Sequence, residues 1–226
     1  EMAVLRAIND EAGKVGMMVQ VHSVSWQSTM AATEAGIKRL VHVTNKNFLT
    51  RDQAKQMQAA GVMVLSTVGL GSPVFDVFND DNVPTFRDGG VWPDSIAATS
   101  RVPELFMGQE AGHAPVNART LWDAGVVLGY CTDTGYDPLA GLDHELKILN
   151  VMFSMPDMIK MMGPNTAAYI NMGDQLGELA PGKLADIILL DGDPLKDLKL
   201  LQDLSRIRCV MKDGVFHRRG LSGGMT

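Results

Sequence analysis

One pattern recurs along this chain and limits the folds open to it: a helical stretch, a glycine, then a short apolar run closing on a polar residue. It runs through Glu11-Ala12-Gly13 to Met17-Met18-Val19-Gln20-Val21-His22, and through Glu34-Ala35-Gly36 to Arg39-Leu40-Val41-His42. It returns through Ala59-Ala60-Gly61 to Val62-Met63-Val64-Leu65-Ser66-Thr67, and through Asp123-Ala124-Gly125 to Val126-Val127-Leu128-Gly129-Tyr130-Cys131-Thr132-Asp133. Glycine suits the left-handed cap that ends a helix, and short runs of Val, Leu and Met suit strands buried on both faces. The expected core is therefore an α/β fold with a parallel sheet. Successive marker glycines lie 23, 25 and 64 residues apart, so the last unit carries a long insertion at about 69–118. That insertion is rich in Pro, Asp and Gly, as in Arg87-Asp88-Gly89-Gly90 and Val91-Trp92-Pro93. A loop of this length in a compact fold is functional or mobile. A helical stretch is predicted within it over 95–106, broken by Pro103.

After the fourth strand, helices are predicted over 142–153, from Ser154-Met155-Pro156-Asp157 onward, and over 165–170. Beyond Gly173 the texture changes to strands and turns: 184–190, an Asp191-Gly192-Asp193-Pro194 turn, 207–211, a Lys212-Asp213-Gly214 turn, and 215–217. Asp-Gly between apolar runs is a hairpin signal. The expected domains are 1–173 and 174–226, the second being strands of a small β-domain. Glu1 to Ile8 already reads as the middle of an amphipathic helix, so the chain is expected to begin partway through a larger structure.

Composition excludes several functions. With Lys plus Arg 20 against Asp plus Glu 26, the formal charge is −6 and no basic stripe invites nucleic acid. The longest apolar runs fall far short of the roughly 20 residues a membrane-spanning helix needs. Cys131 and Cys209 have no metal or redox spacing and read as buried free thiols, which fits a reducing, cytoplasmic setting.

Two of the five histidines, His22 and His42, close consecutive repeats at the carboxyl end of predicted parallel strands. In barrels and open α/β sheets that end carries the active site. Asp133 closes the fourth strand at the corresponding place. Two imidazoles and a carboxylate on one rim are what a divalent metal with an activated water requires. Hydrogen-bonded structural histidines and a capping aspartate are the competing reading.

These residues, and above all Leu176-Gly177-Glu178-Leu179-Ala180-Pro181-Gly182-Lys183-Leu184-Ala185-Asp186-Ile187-Ile188-Leu189-Leu190-Asp191-Gly192-Asp193-Pro194-Leu195, resemble the C-terminal half of the amidohydrolase superfamily, in its imidazolonepropionase-like and prolidase-like branch. The resemblance implies the C-terminal half of a TIM-type (β/α)8 barrel with part of a small β-sandwich. It implies one or two divalent metals, most often zinc, with His22, His42 and Asp133 as ligands and Asp133 as catalytic general base. The implied activity is metal-dependent hydrolysis of amide or cyclic amide C–N bonds. Esterase, lactonase, deaminase and phosphotriesterase chemistry stay open, since fold does not fix the reaction. His144, in Leu142-Asp143-His144-Glu145-Leu146, is either an outer partner of the site or a helix-surface histidine.

The family's His-x-His after the first strand and its fourth-strand Lys or Glu are absent from this sequence. The expected partners are therefore a small amide substrate, the missing N-terminal half-barrel in the same or another chain, and further copies in a homo-oligomer. The alternative is a non-catalytic half-barrel that needs a second chain to form its metal site. His113 and Trp92 are the candidates for substrate contact, against a solvated loop histidine and a loop-anchoring aromatic. Phe86 and Phe106 share that second reading, and His217 reads as part of a solvated basic cluster. Gly69-Leu70-Gly71-Ser72-Pro73-Val74 lacks the third glycine of a dinucleotide loop, and Gly182-Lys183-Leu184 is no Walker loop. No nucleophile elbow supports Ser/His/Asp catalysis.

Overall fold

The structure, a computed structural model, describes residues 2–69, 110–133, 138–197 and 199–219. The chain divides into two compact units, Glu1–Ser154 and Met155–Thr226.

The first unit follows the repeat. Its elements are α1 (Met2–Lys14), β1 (Gln20–His22), α2 (Trp26–Glu34), β2 (Arg39–Val41), α3 (Arg51–Ala59), β3 (Met63–Leu65), α4 (Glu110–Asp123), β4 (Val127–Gly129) and α5 (Pro138–Met152). The strands pair in parallel in the order β1-β2-β3-β4, with Val21, Leu40, Val64 and Leu128 side by side in one row. Leu40, Val64 and Leu128 are buried, as the apolar runs require of a sheet covered by helices. Ile37, Met57, Leu121, Leu146, Leu149 and Met152 are buried in the same unit.

Each of the first four helix-to-strand turns ends in one local device. The N–H three residues past the end of the helix reaches back to a carbonyl five residues earlier: Met17 to Ala12, Ile37 to Ala32, Val62 to Met57 and Val126 to Leu121. The residue before each of them is a glycine with positive φ: Gly16, Gly36, Gly61 and Gly125. The first cap is thus Gly16, not Gly13 of the repeated Ala-Gly mark, because α1 continues through Gly13 to Lys14. Capping boxes start two helices, Ser25 with Ser28 at α2 and Thr50 with Gln53 at α3.

Residues 110–118, expected to close the long insertion, are the first part of α4. The rest of the insertion, from residue 70 to 109, lies outside the described residues, and with it Trp92, Phe86, Phe106 and the helix predicted over 95–106. Both cysteines are free and half-buried rather than buried.

The second unit begins with α6 (Met155–Lys160), a π-helical turn at Met161–Asn165 containing Pro164, and α7 (Thr166–Tyr169). Then come β5 (Ile187–Leu190), α8 (Lys199–Gln202), a 3-10 turn at Leu204–Arg206, β6 (Ile207–Lys212) and β7 (Val215–Arg219), with β5-β6-β7 an antiparallel sheet. The β6–β7 turn has positive φ at Asp213 and Gly214, as a tight hairpin turn requires. Asp186 accepts from the Asp213 N–H at 2.7 Å, and this bond holds its carboxyl below the usual range.

The first unit ends at Ser154, earlier than the change of texture at residue 173, because the helices after it share contacts with the tail. A Cβ at Gly163 would lie 2.6 Å from the Gly177 carbonyl, and Lys183 Nζ donates to the Gly173 and Leu176 carbonyls. Among the described residues no helix is long and apolar enough to cross a membrane.

Candidate active site at the carboxyl rim of the parallel sheet

His22 is the last residue of β1 and is exposed. His42 follows β2 by one residue and is 8% exposed. The two are not in register: His22 pairs with Val41, so His42 stands one step further along. At that step the backbone turns left-handed, with φ 75° at His42, which ends the strand's alternation of side chains. The rings meet edge to face with centroids 4.6 Å apart.

His42 is fixed from both sides. Its Nδ1 lies 2.6 Å from Thr67 Oγ1, and its Nε2 lies 3.7 Å from Asp133 Oδ2. Burial, reinforced by the neighbouring His22, lowers its pKa, with Asp133 opposing. The neutral imidazole so favoured is the ligating form. Asp133 sits four residues past β4 with φ 51°, and its side chain is 57% exposed. The sheet therefore brings His22 to His42 and His42 to Asp133.

The donor set, two imidazoles and a carboxylate, suits a borderline divalent ion such as zinc. Its free valences match that use: Thr67 occupies Nδ1 of His42 and leaves Nε2 toward the carboxylate. Among the described residues, however, no three His, Cys, Asp or Glu side chains gather closely enough to hold an ion.

The remaining candidates fare differently. His113 stands in α4, not in a loop, and is half-buried. Its Nδ1 donates to the Asn45 carbonyl at 2.9 Å and its ring packs on Phe48, so its polar contact is spent on the chain after β2. His217 lies in β7 and is exposed. The side chain of His144, like Trp92, lies outside the described residues.

Three residues at this rim were not singled out from the sequence. Thr67, with φ 46°, is the hydroxyl partner of His42. Asn117, fully buried in α4, accepts from the Leu49 N–H and donates to the Thr44 and Asn47 carbonyls, pinning the loop that follows His42. Glu145, 1% exposed in α5, accepts from the N–H groups of Val68 at 3.1 Å and Gly69 at 2.5 Å. Burial pushes its carboxyl up to about 7 against the hydrogen bonds from Ser66, Gly69 and Val68 that favour the charged form. A signal for it existed: Glu145 is spaced three from Leu142, four from Leu149 and seven from Met152, on the apolar stripe of its helix. The two hydroxyl and amide partners had none, because Thr and Asn near strand ends are common turn residues.

The chain is 25% identical over 213 residues to an ochratoxinase of Aspergillus niger, a match covering 93% of this chain and 40% of that enzyme. It is 29% identical over 104 residues to an imidazolonepropionase of Shouchella clausii, covering 44% of this chain and 23% of the relative. A solved amidohydrolase superposes with a TM-score of 0.74 at 26% identity, over 98% of this chain and 49% of the other. The chain thus spans about half or less of the length of these proteins. A model of the amidohydrolase family matches residues 2–216, and the chain belongs to that family.

Proposed function

We propose that this chain is the C-terminal half of a TIM-type (β/α)8 barrel with the following strands of a small β-sandwich, and that it serves a metal-dependent hydrolase of amide or cyclic amide C–N bonds. One observation carries the reading: the carboxyl ends of parallel strands β1, β2 and β4 bring His22, His42 and Asp133 into one chain of contacts. That rim is where such folds place their chemistry.

His22 and His42 would hold a divalent ion, zinc by donor type, together with Asp133 and with ligands from an N-terminal half-barrel supplied by the same or another chain. When bound, such an ion supplies Lewis acidity that lowers the pKa of water toward 7. In the tautomer that donates Nδ1–H to Thr67, His42 would have its Nε2 lone pair available to such an ion. The Asp133 carboxylate, more than half exposed at the open side of the rim, takes the proton of the attacking water and returns it to the leaving nitrogen. Further copies in a homo-oligomer complete the assembly, and the cytoplasm suits its two free thiols.

The second reading is a non-catalytic half-barrel that needs a second chain to form its metal site, with His22, His42 and Asp133 serving only as scaffold. Asp133→Asn in the complete protein separates catalysis from scaffold. Turnover of amide substrates should fall by at least about 10³-fold with the circular dichroism unchanged. Full activity in that variant would overturn the role given to Asp133.

A further inference from the structure

A buried carboxylic acid on an apolar helix stripe is costly, and an apolar side chain would be the default there. Glu145 is such a group, and its surroundings are built for it. Both carboxyl oxygens are engaged by backbone, Oε1 by the Val68 N–H and Oε2 by the Gly69 N–H, and Ser66 adds a side-chain hydrogen bond. The fit extends to the backbone: a Cβ at Gly69 would lie 2.9 Å from Glu145 N and 3.0 Å from its Cα, so only glycine lets the turn approach α5 this closely.

The segment held in this way runs from Ser66 to Gly69, and two of its other contacts lead to the rim. Thr67, inside it, adopts φ 46° and places Oγ1 at 2.6 Å from His42 Nδ1. Ser66 accepts the Cys131 N–H at 3.2 Å, tying the turn to the strand that leads to Asp133. A β-branched residue in the left-handed region is strained and persists only when its surroundings over-determine it. The clamp on the two residues after Thr67 supplies that constraint.

We infer that Glu145 is a positioning residue of the rim: from α5 it clamps the Ser66-to-Gly69 turn so that Thr67 presents its hydroxyl to His42 and orients that imidazole. Its consequence for catalysis rests on the proposed function, whereas the orientation of His42 does not.

Glu145→Gln is the sharp variant. Glutamine keeps the shape but sets a donor amide where one acceptor oxygen stood, so it cannot offer a separate oxygen to each of the two backbone N–H groups. In the complete protein, three quantities are read: amide exchange at Val68 and Gly69, the imidazole ¹⁵N shifts of His42, and kcat with KM. The expected result is exchange at one or both amides faster by about 10-fold or more, loss of the hydrogen-bonded Nδ1 signature of His42, and kcat lower by about 10- to 100-fold with KM within about 3-fold. A lower melting temperature with His42 shifts and kcat unchanged would make Glu145 merely structural and overturn the inference. Thr67→Val covers the case in which Glu145→Gln does not fold. It removes only the hydroxyl and should give the same His42 and kcat changes; if it leaves both at wild-type values, no route from Glu145 to His42 exists. Should the wild-type protein hydrolyse no amide at all, the proposed function fails while the ¹⁵N shifts still decide the role of Glu145.

Discussion

His42, Thr67 and Asp133 each hold a positive φ although none is glycine, and each lies just past a parallel strand. Such conformations cluster where a side chain must be aimed rather than merely packed. The placement of His22, His42 and Asp133 at or just past strand ends was legible in the sequence because the repeat puts these residues there. Their geometry was not, because a single residue in the left-handed region sets it and leaves no periodic trace. Asn117 belongs to the same scale. Its three buried hydrogen bonds run to backbone groups of the loop after His42, so Asn117→Ala leaves the Leu49 N–H and the Thr44 and Asn47 carbonyls without it. Chemical denaturation should show a loss of about 2 kcal/mol or more; a loss under about 0.5 kcal/mol would mean that water replaces the side chain. Glu145 gives a pH signature. Its carboxyl titrates near 7 in the folded state against an ordinary 4.5. Between those values the native state keeps a proton the unfolded chain has released, so this group's stabilisation is full below pH 4.5 and is lost as pH rises through 7. The difference in unfolding free energy between wild type and Glu145→Gln should therefore change across that window and level off above it. A difference independent of pH would place the Glu145 titration elsewhere.

At the scale of elements, the repeat predicted the four strands of a parallel sheet, since a helix-capping glycine and a short apolar run are local signals. It misplaced the first cap by three residues, reading Gly13 where Gly16 makes the left-handed turn, because the Ala-Gly dipeptide is only correlated with the reach-back hydrogen bond that ends the helix. The tail motif that carried the family resemblance proves structural where it is described. Gly177 has φ 93°, and an added Cβ would meet Ala167 Cβ and Pro164 Cα at 2.8 Å, on the helical segment that holds the π turn. Lys183 clasps the same region through two carbonyls and an ion pair to Glu178. Gly177→Ala combines a strained φ with a backbone collision and should cost about 2 kcal/mol or more in the second unit. A melting temperature equal to wild type would show that the turn can shift aside. None of this was legible beforehand, because a motif's spacing reports that glycine is present but not which chain it approaches.

At the scale of the molecule, the exposed surface bears on what completes the fold. No residue of α1 is buried, and its Val4 and Ile8 are 61% and 50% exposed. Among the described residues, β1 and β4 have no further strand beside them in the parallel sheet. Open strand edges and apolar helix faces are normally covered. With the chain spanning about half or less of the length of the proteins compared above, the proposed cover is the N-terminal half-barrel. The same half would supply the ligands this sequence lacks. Native mass spectrometry of the complete protein, with metal analysis of the same species, tests the central claim most directly. One or two divalent ions per chain are expected, lost together in the folded His22→Ala, His42→Ala double variant. Amide hydrolysis by a species free of stoichiometric metal, or full metal content in the double variant, would contradict the account.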